Sequence, residues 1–474
     1  MNIAQKLKFL YFAITTYYRR MLFLAVLAIL SSLFSIALLS EQPLSLVTII
    51  GFGAALLLFR RHNLAMRFLV FCLPFTQAPT LKWFLRWRIS EVVAWVLLPF
   101  HLTILPRLTK HMPNLIKYIL LAMIGYFFYT GLIGMAHVLS LETNVNEGLE
   151  YIIHPILRTL LETARGFASI SLFIGLLVAV RNWEDFRRIV KLFAWSGAVA
   201  GAYGAYQATV LAFRLPLPLL PGTLFHEGYA RPFGTFYEPT GMGSFTAVTL
   251  LLSLYPIYSE RNVTWMFCLS LNALGFFVSL SRAGFLGLIT GIIVLMLTWM
   301  WHKRALFPSF LSLASLVGAI WVGYMIAIRV FGEEEVFVQF SGYWLEYSLA
   351  QRVEAYSQLP SLFMEFPYGF GQGVFFLYGA GAPGFARLLL EGGIVGAVFL
   401  ALFHMNSACC LIRLLRRSSE QMQRLAPFLA AAYVASVITI VNYINTTDMW
   451  IWFVWSLPAV ALWTEGQGCL LNKM

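Results

Sequence analysis

The chain has 474 residues, of which 60% are apolar, 16% aromatic and 11% charged, with a formal net charge of +12 and a mean hydropathy of +0.76. An ordinary soluble domain is about a quarter charged, so this composition excludes a soluble globular enzyme, a disordered chain, a collagen-like fibre and a coiled coil. Long apolar runs without two-residue alternation argue against an outer-membrane barrel, and basic residues confined to short clusters between those runs indicate membrane topology rather than nucleic-acid binding.

A helical span needs ~20 apolar residues. On that basis the chain reads as an all-α polytopic membrane protein, a single integral membrane domain over 1–474. Fourteen spans are expected, near 21–40, 44–59, 67–81, 91–106, 117–138, 163–180, 189–212, 242–258, 263–280, 284–301, 306–328, 388–412, 425–444 and 450–464. Pro74, Pro79 and Pro99 interrupt the third and fourth. The first apolar run follows Lys6, Lys8, Arg19 and Arg20, is too long for a signal-peptide core, and reads as a retained helix. Alternation from a cytoplasmic N-terminus places 22 of the 33 Lys and Arg residues inside. That bias predicts both termini inside. Lys82, Arg86 and Arg88 run against it. The five cysteines form neither a disulfide framework nor a CxxC metal spacing, and adjacent Cys409 and Cys410 read as lipid-facing or packing residues.

Chain length is spent on two outer connections, 213–241 and 329–387, while the inner ones are short and basic. Loops on a fixed scaffold carry function, so the outer face is the expected site. The first loop holds a proline-rich approach, Phe225-His226-Glu227, and then Arg231-Pro-Phe-Gly-Thr-Phe-Tyr-Glu238-Pro-Thr-Gly-Met-Gly243. Arg231 and Glu238 stand at the mouth of the next span, as ligand-binding groups or as a snorkelling arginine and a loop glutamate. Ser279-Leu-Ser281-Arg282-Ala283-Gly284 puts an arginine at a turn between two apolar runs, where it needs an anion, carbonyls or water. Asn272 reads as an interhelical hydrogen-bonder.

The second loop holds Glu333-Glu334-Glu335, expected as a solvated face, and then an amphipathic stretch over 343–364 carrying Arg352 and Tyr356. That stretch reads as a helix lying near the membrane surface. Phe366-Pro-Tyr-Gly-Phe-Gly-Gln-Gly373 follows, and glycines such as Gly371 and Gly373 can aim backbone N–H groups at an anion. Arg387 and Glu391 open the next long span as a built-in i,i+4 pair. His101 and His404 read as packed helix residues. Charges within spans look sparse, with no pathway continuing through the membrane. Several arginines on one face suit an anionic ligand with a lipid tail, such as a lipid diphosphate.

At these residues the chain resembles the O-antigen ligase and O-antigen polymerase superfamily of bacterial inner-membrane glycosyltransferases. The resemblance rests on Arg231 to Pro239, Ser281 to Gly284, Arg352 ahead of Phe366 to Gly373, and Leu389 to Gly396, in the family's order, over about residues 190–410. It implies a C-type glycosyltransferase fold in the inner membrane, an undecaprenyl-diphosphate-linked glycan as donor, a glycan acceptor, and neither cofactor nor metal. A flippase and a chain-length regulator are the implied partners besides the bilayer. The resemblance gives Arg231, Arg282 and Arg352 the diphosphate. Glu238, or else His226, is the expected base because both lie on the first outer loop close to Arg231, the alternative being that Glu238 only pairs with Arg231; Tyr356, Gly371, Gly373, Arg387 and Glu391 are the expected substrate contacts. Ligases of the family carry a histidine where this chain reads Gly379 to Arg387, and Glu238-Pro-Thr240 resembles polymerase members. The expectation is therefore a polymerase, with a ligase as the alternative and a small-anion transporter as the reading of another class.

Overall fold

The computed structural model describes residues 62–76, 88–140, 155–213, 215, 225–226, 229–230, 232–236, 238–260, 262–303, 325, 328, 350, 353–354, 356–374, 384–441 and 448–471. The expected spans at 21–40 and 44–59 and nearly all of 306–328 lie outside the described residues, as do Arg231, Arg352 and the first part of the surface stretch 343–364. Where described, the chain is helical apart from loops and one two-residue hairpin. In order the elements are α1 (His62–Cys72), α2 (Ile89–His111), α3 (Asn114–Ser140), α4 (Pro155–Ala179), α5 (Trp183–Ala212), β1 (Phe225–His226) and β2 (Tyr229–Ala230). Then follow α6 (Pro239–Glu260), α7 (Val263–Val278), α8 (Arg282–Lys303), α9 (Leu359–Glu365), α10 (Gly384–Arg417), α11 (Glu420–Ile440) and α12 (Met449–Leu471).

Among the described residues seven helices are long and apolar enough to cross a bilayer: α2, α3, most of α4, α6, most of α8, α10 and α11. The chain is thus an α-helical, membrane-embedded protein. The expected fourth span runs as one helix through Pro99 and Pro106. The third is shorter than expected, because α1 stops at Cys72, two residues before Pro74. A proline ring restricts the residue before it and removes a donor, which favours this stop.

At the centre stands α12, buried nearly throughout from Met449 to Thr464 and packed by α3, α4, α5, α10 and α11. Its tryptophans explain why it can sit there. Trp455 Nε1 donates to Ser436 Oγ on α11 at 3.1 Å, and Trp463 Nε1 donates to the Leu177 carbonyl on α4 at 2.8 Å. Large apolar area is buried while the indole N–H finds a partner. Around this stem α8 lies against α11, α3 against α10, and α5 against α7.

Asn272 ties α5, α6 and α7 together, as the sequence suggests. Its Nδ2 donates to the Ala194 carbonyl at 3.1 Å, and its Oδ1 accepts from Thr249 Oγ1 at 2.5 Å. Such bonds are worth about 0.6 to 1.7 kcal/mol within membranes. Asn272→Ala is expected to lower the thermal midpoint in detergent by that order of energy; an unchanged midpoint would mean that packing alone joins these helices.

Candidate functional site

One end of the bundle collects the sequence-nominated residues that are described. Residues 232–236 are buried there by a clamp. Gln207 on α5 accepts from the N–H groups of Phe233 and Gly234 through Oε1, at 3.1 and 2.8 Å, and returns Nε2 to the Gly234 carbonyl. Thr235 Oγ1 donates to the Pro74 carbonyl at 2.7 Å, and Thr76 N donates to the Thr235 carbonyl at 3.0 Å. The Gly-Thr-Phe stretch is therefore a structural staple between α1 and α5. Glu238 follows it, half-buried, with Pro239 opening α6. The Glu238 carbonyl accepts from the N–H of Gly241 at 3.1 Å. A carboxylate just ahead of a helix also complements the helix dipole, so the position suits a capping role as well as a catalytic one. His226 belongs to β1, whose two residues pair antiparallel with β2.

The Ser279–Arg282 turn has a built geometry. Leu280 takes φ +46°, the left-handed region that side chains avoid at a cost of roughly 1–2 kcal/mol. Ser279 Oγ accepts from Ser281 N at 3.2 Å, and Ser281 Oγ accepts from Gly284 N at 3.0 Å, capping α8. Arg282 is consequently the first residue of α8, half-buried. A Cβ on Gly284 would lie 2.7 Å from the Gly243 carbonyl oxygen, so the starts of α6 and α8 touch backbone to backbone. The two motifs, distant in sequence, meet here, and Glu238 stands about a turn and a half from Gly243. Tyr356 joins the same end: its hydroxyl donates to the Val441 carbonyl at 3.0 Å, where α11 finishes beside the start of α8.

The Phe366–Gly373 loop plugs a break in α10. Gly393 has φ +56° and ψ −154°, outside helical values, and interrupts that helix. Into the gap Phe370 N donates to the Leu390 carbonyl and Gly371 N to the Glu391 carbonyl, each at 2.9 Å, and Ile394 N donates to the Pro367 carbonyl at 2.9 Å. Gln372 N donates to the Thr130 carbonyl of α3, also at 2.9 Å. Gly371 and Gly373 were expected to aim N–H groups at an anion. Both N–H groups are instead spent on protein acceptors, since Gly373 N donates to Glu391 Oε1 at 3.2 Å.

Arg387 and Glu391 form the expected pair, Nε to Oε1 at 2.8 Å, with both side chains buried. They belong to a larger chain of charge that hydropathy does not reveal. Arg387 Nη2 lies 3.8 Å from Glu162 Oε2, and Glu162 Oε1 accepts from Arg165 Nη1 at 2.9 Å. Arg165 Nε lies 3.2 Å from Glu91 Oε1, and Glu91 faces Arg88 at 3.4 Å. Arg88 in turn pairs with Asp448. These three arginines and four carboxylates bind the N-terminal ends of α2, α4, α10 and α12. Arg158, one turn before Glu162, adds a fourth guanidinium nearby. Charge around the spans is therefore less sparse than expected, but this chain links the helix ends to one another and does not form the through-membrane pathway whose absence the sequence suggests. Arg88, which violates the charge bias in the sequence, is neutralised inside the charge chain. Trp450 links this region to the first motif, packing edge-on to Phe245 of α6 at 5.5 Å between ring centroids.

The helix histidines are packed, as expected. His101 Nδ1 bonds Ser171 Oγ and His404 Nδ1 bonds the Tyr433 hydroxyl, at 2.9 and 2.6 Å. Of the cysteine pair, Cys409 is exposed and Cys410 buried. Among the described residues no group of three His, Cys, Asp or Glu could hold a metal ion. No protein-family model matches the chain, and no curated protein matches it at a significant level.

Proposed function

We propose that the protein is a polymerase-type glycosyltransferase of the bacterial inner membrane. It would join undecaprenyl-diphosphate-linked repeat units at the outer face, independently of metal. The observation that carries this reading is Arg282. A strained, serine-capped turn fixes it as the first residue of a membrane helix, where the guanidinium adds to the positive end of the helix dipole. Such a place suits a phosphate-bearing ligand. Glu238, Tyr356 and the buried charge chain lie at the same end.

In the proposed reaction an acceptor hydroxyl attacks the anomeric carbon of the lipid-linked sugar. The bond from that carbon to the phosphate oxygen breaks, and the diphosphate leaves with the electron pair. Arg282, with Arg231 and Arg352, would stabilise the leaving charge, and this preorganised positive field supplies most of the rate. The acceptor proton passes to Glu238 or His226 as base. Arg387 and Glu391, buried and paired, position the glycine loop in this scheme rather than touching substrate.

A glycan ladder tests the reading. Cells lacking the gene, complemented with Arg282→Ala or Arg352→Ala, are expected to show only single repeats or lipid-linked precursors while the protein still accumulates. Full-length polymer held on undecaprenyl diphosphate would make the protein a ligase. An unchanged ladder would reject both. The broken helix at Gly393 and the charge chain favour one second reading, a small-anion transporter, because broken helices and buried charges line transport sites. Against it, the nearest deeper polar cluster, His62–His101–Ser171, lies about 9 Å further along α4 from Arg165, beyond hydrogen-bond reach.

A further inference from the structure

The opposite end of the bundle carries a second, unrelated feature. Trp301 is about 28 Å along α8 from Arg282, close to the hydrocarbon thickness of a bilayer. At that level Arg416 of α10 stacks on Trp301, its Cζ 4.9 Å from the ring centroid. The two residues, with Thr298 and Leu415, line a cleft of about 170 Å³. Both helices also pack on α11. Each exposes an apolar stripe at helical spacing that leads to the cleft: Ile289, Ile293 and Leu297 on α8, and Leu402, Met405 and Ile412 on α10.

Charge decides the kind of occupant. Arg413 and Arg416 are both exposed, one turn apart, and no carboxylate among the described residues lies within ion-pairing distance of either. By contrast Arg424, on the neighbouring helix end, is satisfied by Glu420 at 2.5 Å. One guanidinium on an aromatic ring, a second one turn away on the same helix, and two exposed apolar stripes match a phosphate headgroup with acyl chains. The guanidinium groups repel a choline or ethanolamine ammonium.

We infer that the cleft between the C-terminal ends of α8 and α10 binds an anionic glycerophospholipid, its phosphate on Arg413 and Arg416 and its chains along the two stripes. The charge bias of the chain places this end in the cytoplasmic leaflet, where anionic lipids exert their pull on basic side chains. The site is independent of the chemistry at the other end.

Native mass spectrometry of the full-length protein in detergent tests it, with added phosphatidylglycerol, phosphatidylcholine or inorganic phosphate. The wild type is expected to retain phosphatidylglycerol in preference to phosphatidylcholine. Arg416→Ala should weaken that retention about fivefold, and Arg413→Ala with Arg416→Ala about 25-fold. Arg424→Ala, a charge-matched control, should leave it within about twofold of wild type. Both cleft arginines are exposed, so the variants should remain folded, with gel filtration as the check. Equal retention by wild type and the double variant, or equal affinity for the two lipids, would overturn the site. Displacement of phosphatidylglycerol by millimolar inorganic phosphate would show a free-anion site and overturn the lipid assignment.

Discussion

Arg387→Ala is expected to destabilise the protein by about 3–5 kcal/mol, because it leaves Glu391 and Glu162 buried with their shared cation gone. A similar loss is expected from Glu391→Ala, which leaves Arg387 only its longer 3.8 Å pair with Glu162 and removes the acceptor of Gly373 N. Arg387→Met combined with Glu391→Leu should recover most of the stability, since replacing a buried pair by apolar groups of similar volume costs far less than breaking it. Thermal aggregation in detergent, followed by the monodisperse fraction after heating, reads all three. If the single variants were as stable as wild type, the charge chain would contribute nothing to cohesion, and Arg387 would return to the substrate-binding role expected from the sequence.

Gly371→Ala should have an effect of the same size for a different reason. Gly371 has φ +82°, and a Cβ there would fall on the backbone of Gly134 in α3, which no side-chain rotation relieves. The left-handed conformation adds roughly 1–2 kcal/mol for a residue with a Cβ. Displacing the loop would also break the bonds from Gly371 N and Gln372 N, each worth about 1 kcal/mol. Together these come to about 3–4 kcal/mol. The loop should become open to limited proteolysis between Phe366 and Val374. Gly466→Ala is the control, because nothing lies within 4 Å of its added Cβ. Protection of the loop in Gly371→Ala equal to wild type would mean that the plug is not held by close backbone contact.

The helices were legible because bilayer burial writes itself as long apolar runs. The expected spans at 117–138, 242–258 and 284–301 fall inside α3, α6 and α8. The start of α4 was not legible for the same reason. Its expected span begins at 163, yet the helix begins at Pro155, and the intervening turns carry Arg158 and Glu162. Hydropathy scores these as loop residues, whereas the fold sets them beside Arg387 and Glu391 of α10. The signal was present in the spacing: Arg158, Glu162 and Arg165 recur at i, i+4 and i+7, one helical face. Arg88, taken alone, contradicts the charge bias. Only its partners Glu91 and Asp448, the latter 360 residues away in the chain, explain it.

The glycines divide in the same way. Gly284 and Gly243 sit in motifs that drew attention, and their contact joins α6 to α8. Gly393 stands in the expected span 388–412, with nothing in its neighbours to mark a break. Its left-handed φ breaks that helix and lets the second loop hydrogen-bond into the gap. Nothing in local sequence distinguishes a glycine that packs from one that breaks a helix, because the deciding contact is tertiary. Gln207, whose amide holds the Gly-Thr-Phe stretch in place, was invisible for that reason too.

The proposed role of Arg282, stabilising a departing diphosphate, is open to direct assay. Its most direct test uses purified protein in detergent with a polyprenyl-diphosphate-linked oligosaccharide and an acceptor glycan, following release of polyprenyl diphosphate. The wild type should release it together with extended glycan. Arg282→Ala, with unchanged thermal stability, should be slower by about 10²–10³-fold, the usual cost of losing one preorganised charge-stabilising group. Turnover by Arg282→Ala at the wild-type rate, or no diphosphate release by wild type, would contradict the account.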